Sequence, residues 1–181
     1  MTISIKPTAS GSTIEQDGST ILTVDGSGNI TPSNDFYPKV PAFRAYKGIV
    51  DQSLTSSTWT KVTYDTVDFD TNSNFSTSTS RFTPTVAGYY QINVILSTEG
   101  AGGLTRFISE IYKNGSSYSR FSDLQVTSGT IGRDYSGSDI IYFNGTTDYI
   151  EIYSYQIATT PNLDSDSNGV QQIISGHLVS V

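Results

Sequence analysis

Cysteine is absent from the 181 residues, so no disulfide, thiolate metal site or cysteine nucleophile is available, although small secreted domains commonly rely on disulfides. Histidine occurs once, at His177, which excludes a multi-histidine metal centre and leaves triad chemistry only a last-strand position that rarely supports it. We read it as structural. Charged residues make up 15% of the chain, with ten scattered Lys and Arg set against 17 Asp and Glu. The resulting net charge of -7 argues against a nucleic-acid backbone or an anionic membrane as partner. No apolar run is long enough to span a bilayer, and MTISIKPTASGSTIEQDG at the N-terminus lacks the apolar stretch of a signal peptide. We therefore expect a soluble protein made in a cytoplasm.

What is plentiful is Ser, Thr, Asn, Gly and Tyr, a mixture poor in helix formers and rich in strand and turn formers. No segment predicts a helix. Four blocks alternate aromatic or β-branched residues with small polar ones: Arg81 to Tyr90, Ile111 to Tyr118, Ile140 to Gln156 and Ile174 to Val181. Asn-Gly and Ala-Gly punctuate them, as tight turns between half-buried strands require. Strands are predicted at 42–46, 58–64, 67–69, 89–97, 105–113, 117–124, 129–135, 139–144, 148–157 and 172–181. Such spacing fits an all-β, ten-stranded jelly-roll sandwich. Residues 1–36 differ, having no aromatic before Phe36 and only short alternating runs. This segment predicts a short extended N-terminal β-arm that needs a neighbour, and Pro32, Pro38 and Pro41 mark a stiff passage into the head at 37–181.

The head resembles the C1q-like globular domain, the jelly-roll relative of the tumour necrosis factor fold. Ala42 and Phe43, the block Phe82-x-Pro84-x-x-x-Gly88-Tyr89-Tyr90, Lys113-Asn114-Gly115, Gly145-x-x-Asp148-Tyr149-Ile150 and Gly176 carry the resemblance, in that order. Thr147 departs from it, because family members often place Gly before the Asp. The resemblance implies a trimer with one sheet edge of each subunit around a threefold axis, where Tyr90, Ile92 and Tyr153 are the candidate aromatic and apolar contributors. The family occurs in animal secreted proteins and in virion proteins of tailed bacteriophages; the missing collagen-like Gly-x-y stalk disfavours the former. Ile21 to Ile30 (ILTVDGSGNI) is similar to short β-arms of phage structural proteins.

Asp164-x-Asp166-x-Asn168-Gly169 copies the opening of an EF-hand loop, making these three oxygen-bearing residues the candidate calcium ligands. The closing Glu is missing, with Ser175 in its place, so a solvated acidic turn is favoured and no cofactor is expected. Asp65, Asp68 and Asp70 form a second acidic group without a shared strand parity. Carboxylate pairs for glycoside cleavage, such as Glu110 with Asp139 or Glu151, have no selecting spacing, so no catalytic residue is assigned. The Tyr-rich strands, with Tyr149, Tyr153, Tyr155, Tyr89 and Tyr90, read as core or interface ahead of a sugar-stacking surface.

The expected function is that of a non-enzymatic phage virion protein. The favoured form is a homotrimeric capsid decoration protein, its arm docked on the major capsid protein or another virion protein by strand addition and burial of Ile3, Ile5, Ile14, Ile21, Leu22, Val24 and Ile30. The alternative is a tail-fibre or baseplate tip that binds host cell-surface glycans.

Overall fold

A computed structural model describes residues 3–9, 11–32, 40–48, 50–98, 101–129 and 134–181. The chain divides into two compact units, residues 1–39 and 40–181. The expected boundary at Phe36 lies outside the described residues.

The first unit is an antiparallel meander of β1 (Ile3–Thr8), β2 (Gly11–Gln16), β3 (Ser19–Asp25) and β4 (Ile30–Pro32), paired in that order. Its length is therefore folded back on itself and does not run as a single stretched arm. The turn between β3 and β4 is built by Asp25, whose carboxylate accepts from the amides of Ser27 and Asn29 and from the Asn29 side chain at 2.8–2.9 Å. Those bonds hold the Asp25 carboxyl below the usual range, the Asn29 side chain contributing most.

The second unit is an all-β sandwich with no helix among the described residues. Its strands are β5 (Ala42–Tyr46), β6 (Gln52–Ser53), β7 (Thr60–Lys61), β8 (Thr66–Asp70), β9 (Phe75–Ser76), β10 (Arg81–Phe82), β11 (Gly88–Ser97), β12 (Leu104–Lys113), β13 (Ser116–Gly129), β14 (Asp134–Phe143), β15 (Ile150–Ile157), β16 (Asn162–Leu163) and β17 (Ile173–Ser180). One sheet runs β13-β12-β15-β10-β9 with β7 also on β15; the facing sheet runs β14-β11-β17-β5-β8. Strands predicted separately at 129–135 and 139–144 are replaced by β14 alone, while β13 extends to Gly129. Thr60 and Lys61 of the predicted strand at 58–64 form the ladder with β15, the Val62 amide still donates to the Ile152 carbonyl at 2.8 Å, and Val62 and Tyr64 alternate inward and are buried.

Between the sheets lies an aromatic core. Phe43 stacks on Phe82 at 4.0 Å, and Phe82 meets Tyr90 and Phe143 edge-on at 5.5 and 5.8 Å. Phe75 turns inward onto Phe43 and Tyr64. At one end of the sandwich two turns lock together. Asn114 and Gly115 both have positive φ, 53° and 81°, as a two-residue hairpin turn between β12 and β13 requires. The Asn114 amide donates to Asp148 at 2.8 Å and its oxygen accepts from the Tyr149 amide at 3.0 Å. Asn144 in turn accepts from the amides of Thr146, Thr147 and Asp148. Thr147 thus takes the usual glycine's place without losing the turn.

Candidate interaction surfaces

Strand parity decides which side chains reach solvent. On β11, Tyr90, Ile92, Val94 and Leu96 face the core, and Tyr90 and Ile92 are 0% exposed. They cannot serve a subunit axis, which corrects that expectation: Tyr90 donates its hydroxyl to the Val86 carbonyl at 3.0 Å and packs on Phe82 and Phe143. The alternate residues Tyr89, Gln91, Asn93 and Ile95 face outward, opposite Tyr142, Ile140, Ser138 and Ser136 of β14. Tyr89 and Tyr142 touch with ring centroids 5.3 Å apart while remaining 50% and 45% exposed, and Ile140 beside them is 56% exposed. Next to this patch a shallow groove of about 410 Å³ runs over Asn93 to Ile95 and Ser136 to Ser138. His177 lies on the same outer face, paired with Gln91 and Ala42, with no nucleophile opposite it in either register.

Tyr153 belongs to the other sheet, on the outer side of β15, so it does not share a face with Tyr90 or Ile92. There it stacks on Tyr112 at 4.0 Å, and Trp59 lies 6.2 Å from Tyr112 and 5.5 Å from Tyr155. Burial raises the phenol pKa of both Tyr112 and Tyr153 above its ordinary value, with nearby Glu110 and Glu151 respectively adding to it. Neither Trp59 nor Tyr112 was singled out from the sequence. The outward parity of Tyr112 on β12 was readable, but its partner strand was not.

The oxygens of the EF-hand-like stretch do not converge. Asp164 is buried, accepting from Ser97 Oγ at 3.3 Å and Asn162 Nδ2 at 3.1 Å. Asp166 instead accepts from the Asn168 amide at 2.6 Å within its own turn. Asp164, Asp166 and Asn168 thus shape a loop rather than surround one point, and no group of three or more acidic or histidine side chains placed to hold a metal occurs among the described residues. Asp65, Asp68 and Asp70 also part company: Asp65 pairs with Lys47 and Asp68 with Arg44, while Asp70 accepts from the Phe75 amide. Glu110 and Glu151 are each 3% exposed, held respectively by Arg120 and by Lys61 with Arg81. Asp139 lies on the facing sheet.

In the first unit the register gathers most of the expected docking residues on one face. Ile5 pairs with Ile14, Ile14 with Leu22, and Val24 with Ile30, so these five share a side, while Ile21 falls at the bulge between Ile14 and Glu15. Ile5 and Ile30 are 69% and 66% exposed. The Ile3 side chain lies outside the described residues.

No family model matches this sequence, and no curated protein matches it. Solved structures do. The globular domain of zebrafish complement 1qA protein is 18% identical, covering 78% of this chain and 98% of that one with a TM-score of 0.51. Murine APRIL at pH 5.0 is 10% identical over 78% of this chain and 100% of that one, TM-score 0.56. Eiger TNF from S. frugiperda is 9% identical over 78% and 93%, TM-score 0.51. The second unit therefore has the C1q/TNF-like jelly-roll fold.

Proposed function

We infer that this protein is a non-enzymatic structural component of a tailed-phage virion, a homotrimeric capsid decoration protein whose N-terminal unit docks on other virion proteins. The observation that carries the reading is the presence of two outward surfaces rich in apolar side chains. One is the Tyr89, Ile140 and Tyr142 face of the β14-β11-β17-β5-β8 sheet, suited to self-association. The other is the one-sided Ile5, Ile14, Leu22, Val24 and Ile30 face of the four-stranded sheet, suited to a virion partner because a single sheet needs a second layer over its apolar side. The fold adds support, since the resemblance implies trimers. The phage setting rests on the ILTVDGSGNI phrase. Buried carboxylates already neutralised by Arg and Lys support a non-catalytic role.

Counting copies per purified virion by quantitative mass spectrometry against the major capsid protein tests this. Copies on the order of hundreds fit trimers repeated over a symmetric shell. A few dozen or fewer favour the second reading, a tail-fibre or baseplate tip, and none overturns both. For the self-association face, Ile140→Asp is expected to convert the trimer to monomer in light scattering at unchanged circular dichroism. A second reading is kept because the aromatic surface around Tyr153 suits glycan contact.

A further inference from the structure

The outer face of β12 and β15 carries a surface that self-association through the opposite sheet leaves in water. Four rings are contiguous there: Trp59, Tyr112, Tyr153 and Tyr155, drawn from three separate stretches of chain and all partly exposed. Beside them, Glu151 pairs with Tyr112 in the ladder and is 3% exposed. Both of its cations, Lys61 Nζ at 3.1 Å and Arg81 Nε at 2.8 Å, contact the same oxygen, Oε1. Its Oε2 has no partner among the described residues. Arg81 lies over the Tyr149 ring at 4.1 Å, which fixes its guanidinium plane, and its two Nη groups are likewise uncommitted among the described residues.

We propose that this face is a saccharide-binding platform, in which Trp59, Tyr112, Tyr153 and Tyr155 stack the apolar face of a sugar and Arg81, held in place by Glu151, donates to its hydroxyls. The proposal rests on the second, glycan-binding reading and names its site. A pyranose has one C–H-lined face and a rim of hydroxyls, and the rings with their flanking guanidinium supply the complement to each. Arg120 is matched by Glu110 and Asp123, whereas Lys61 and Arg81 share the one carboxylate of Glu151, so the site carries a positive charge that admits acidic as well as neutral sugars. A second copy of the chain fits less well, because it would bury the Arg81 Nη groups without acceptors, whereas Tyr89, Ile140 and Tyr142 offer an apolar contact on the other sheet.

Trp59 is the sole tryptophan, so intrinsic tryptophan fluorescence reports on this face alone. The 181-residue protein is titrated with neutral and acidic bacterial O-antigen and capsular oligosaccharides, and direct binding is measured in parallel by calorimetry. The expected result is a saturable change in Trp59 emission. Tyr153→Ala and Arg81→Lys each weaken binding by about tenfold or more while Val170→Ala, at an exposed loop position, leaves it unchanged. Arg81→Lys keeps a cation beside Glu151, so it guards against a Tyr153→Ala variant that folds poorly. Binding that leaves Trp59 emission and both variants unaffected overturns this site while sparing the glycan reading. No binding to any oligosaccharide by the wild type overturns both, leaving the decoration reading to the virion count. An emission change that follows protein concentration without sugar identifies a second copy as the occupant and also overturns the proposal.

Discussion

Asp148→Ala is expected to destabilise the jelly roll far more than a change at a turn ordinarily does. The carboxylate joins two turns that lie far apart in sequence. Oδ1 accepts from Asn114 Nδ2 at 2.8 Å, Oδ2 accepts from the Asn144 amide at 3.1 Å and faces Lys113 Nζ at 3.1 Å, and the side chain is only 14% exposed. A hydrogen bond to a charged acceptor contributes about 1.5–3 kcal/mol and a partly exposed ion pair about 0–1 kcal/mol. Water recaptures part of this once the carboxylate is gone, so the net loss is about 2–4 kcal/mol. With a urea dependence of about 2 kcal/mol per molar, the midpoint falls by about 1–2 M. The same contacts, the Asn114 bond first, hold the Asp148 carboxyl below its ordinary range. A lowered folded-state pKa means the stabilisation is complete above the unfolded value of about 3.9 and is lost as pH falls through the folded one. Asp148→Asn should therefore flatten the acid limb of the stability profile below about pH 4. Urea titrations at pH 7 and at steps below pH 5 measure both effects. A midpoint shift under about 0.3 M in Asp148→Ala, or an unchanged acid limb in Asp148→Asn, would refute the account.

Three further outcomes follow from the core and its turns. Phe82, 2% exposed and touching Phe43, Tyr90 and Phe143, should cost about 3–5 kcal/mol on replacement by Ala, read as a melting temperature lowered by roughly 10 °C. Gly145 has φ 72° and an added Cβ would sit 2.5 Å from the Ala87 nitrogen, whereas at Gly115, φ 81°, it would meet only the Tyr149 hydroxyl at 3.5 Å. Gly145→Ala is thus expected to cost about 2–3 kcal/mol and Gly115→Ala about 1 kcal/mol by urea unfolding, and the reverse order would contradict the geometry. The Tyr64 hydroxyl is buried with no partner among the described residues, and burial pushes its pKa far up. Tyr64→Phe should leave stability unchanged or raise it by about 1 kcal/mol, and a clear loss in calorimetry would reveal a hydrogen bond at that oxygen.

Much of the architecture is legible from period and punctuation, because both are local properties. Alternation in Tyr89 to Ser97 identifies a strand, and Asn114-Gly115 identifies a two-residue turn, since few other residues tolerate two successive positive φ values. The orientation of β11 was also readable: Tyr90, Ile92, Val94 and Leu96 form the uniformly apolar set, while Gln91 and Asn93 mark the outer one. Weighing that parity would have removed Tyr90 and Ile92 as axis residues. The spacing of Asp164, Asp166 and Asn168 described a ligand pattern, yet side-chain direction within it depends on where Ser97 and Asn162 lie, which no local pattern encodes. Trp59, Tyr112 and Tyr153 become neighbours only because β7 and β12 both pair with β15. Likewise the apolar residues of the N-terminal unit share a face only through the pairings of Ile5 with Ile14 and Leu22. Strand existence and turn type thus belong to the sequence, being set by near-neighbour sterics and hydrogen bonding. Register and packing belong to the tertiary structure, because one residue of slip would turn every side chain to the opposite face.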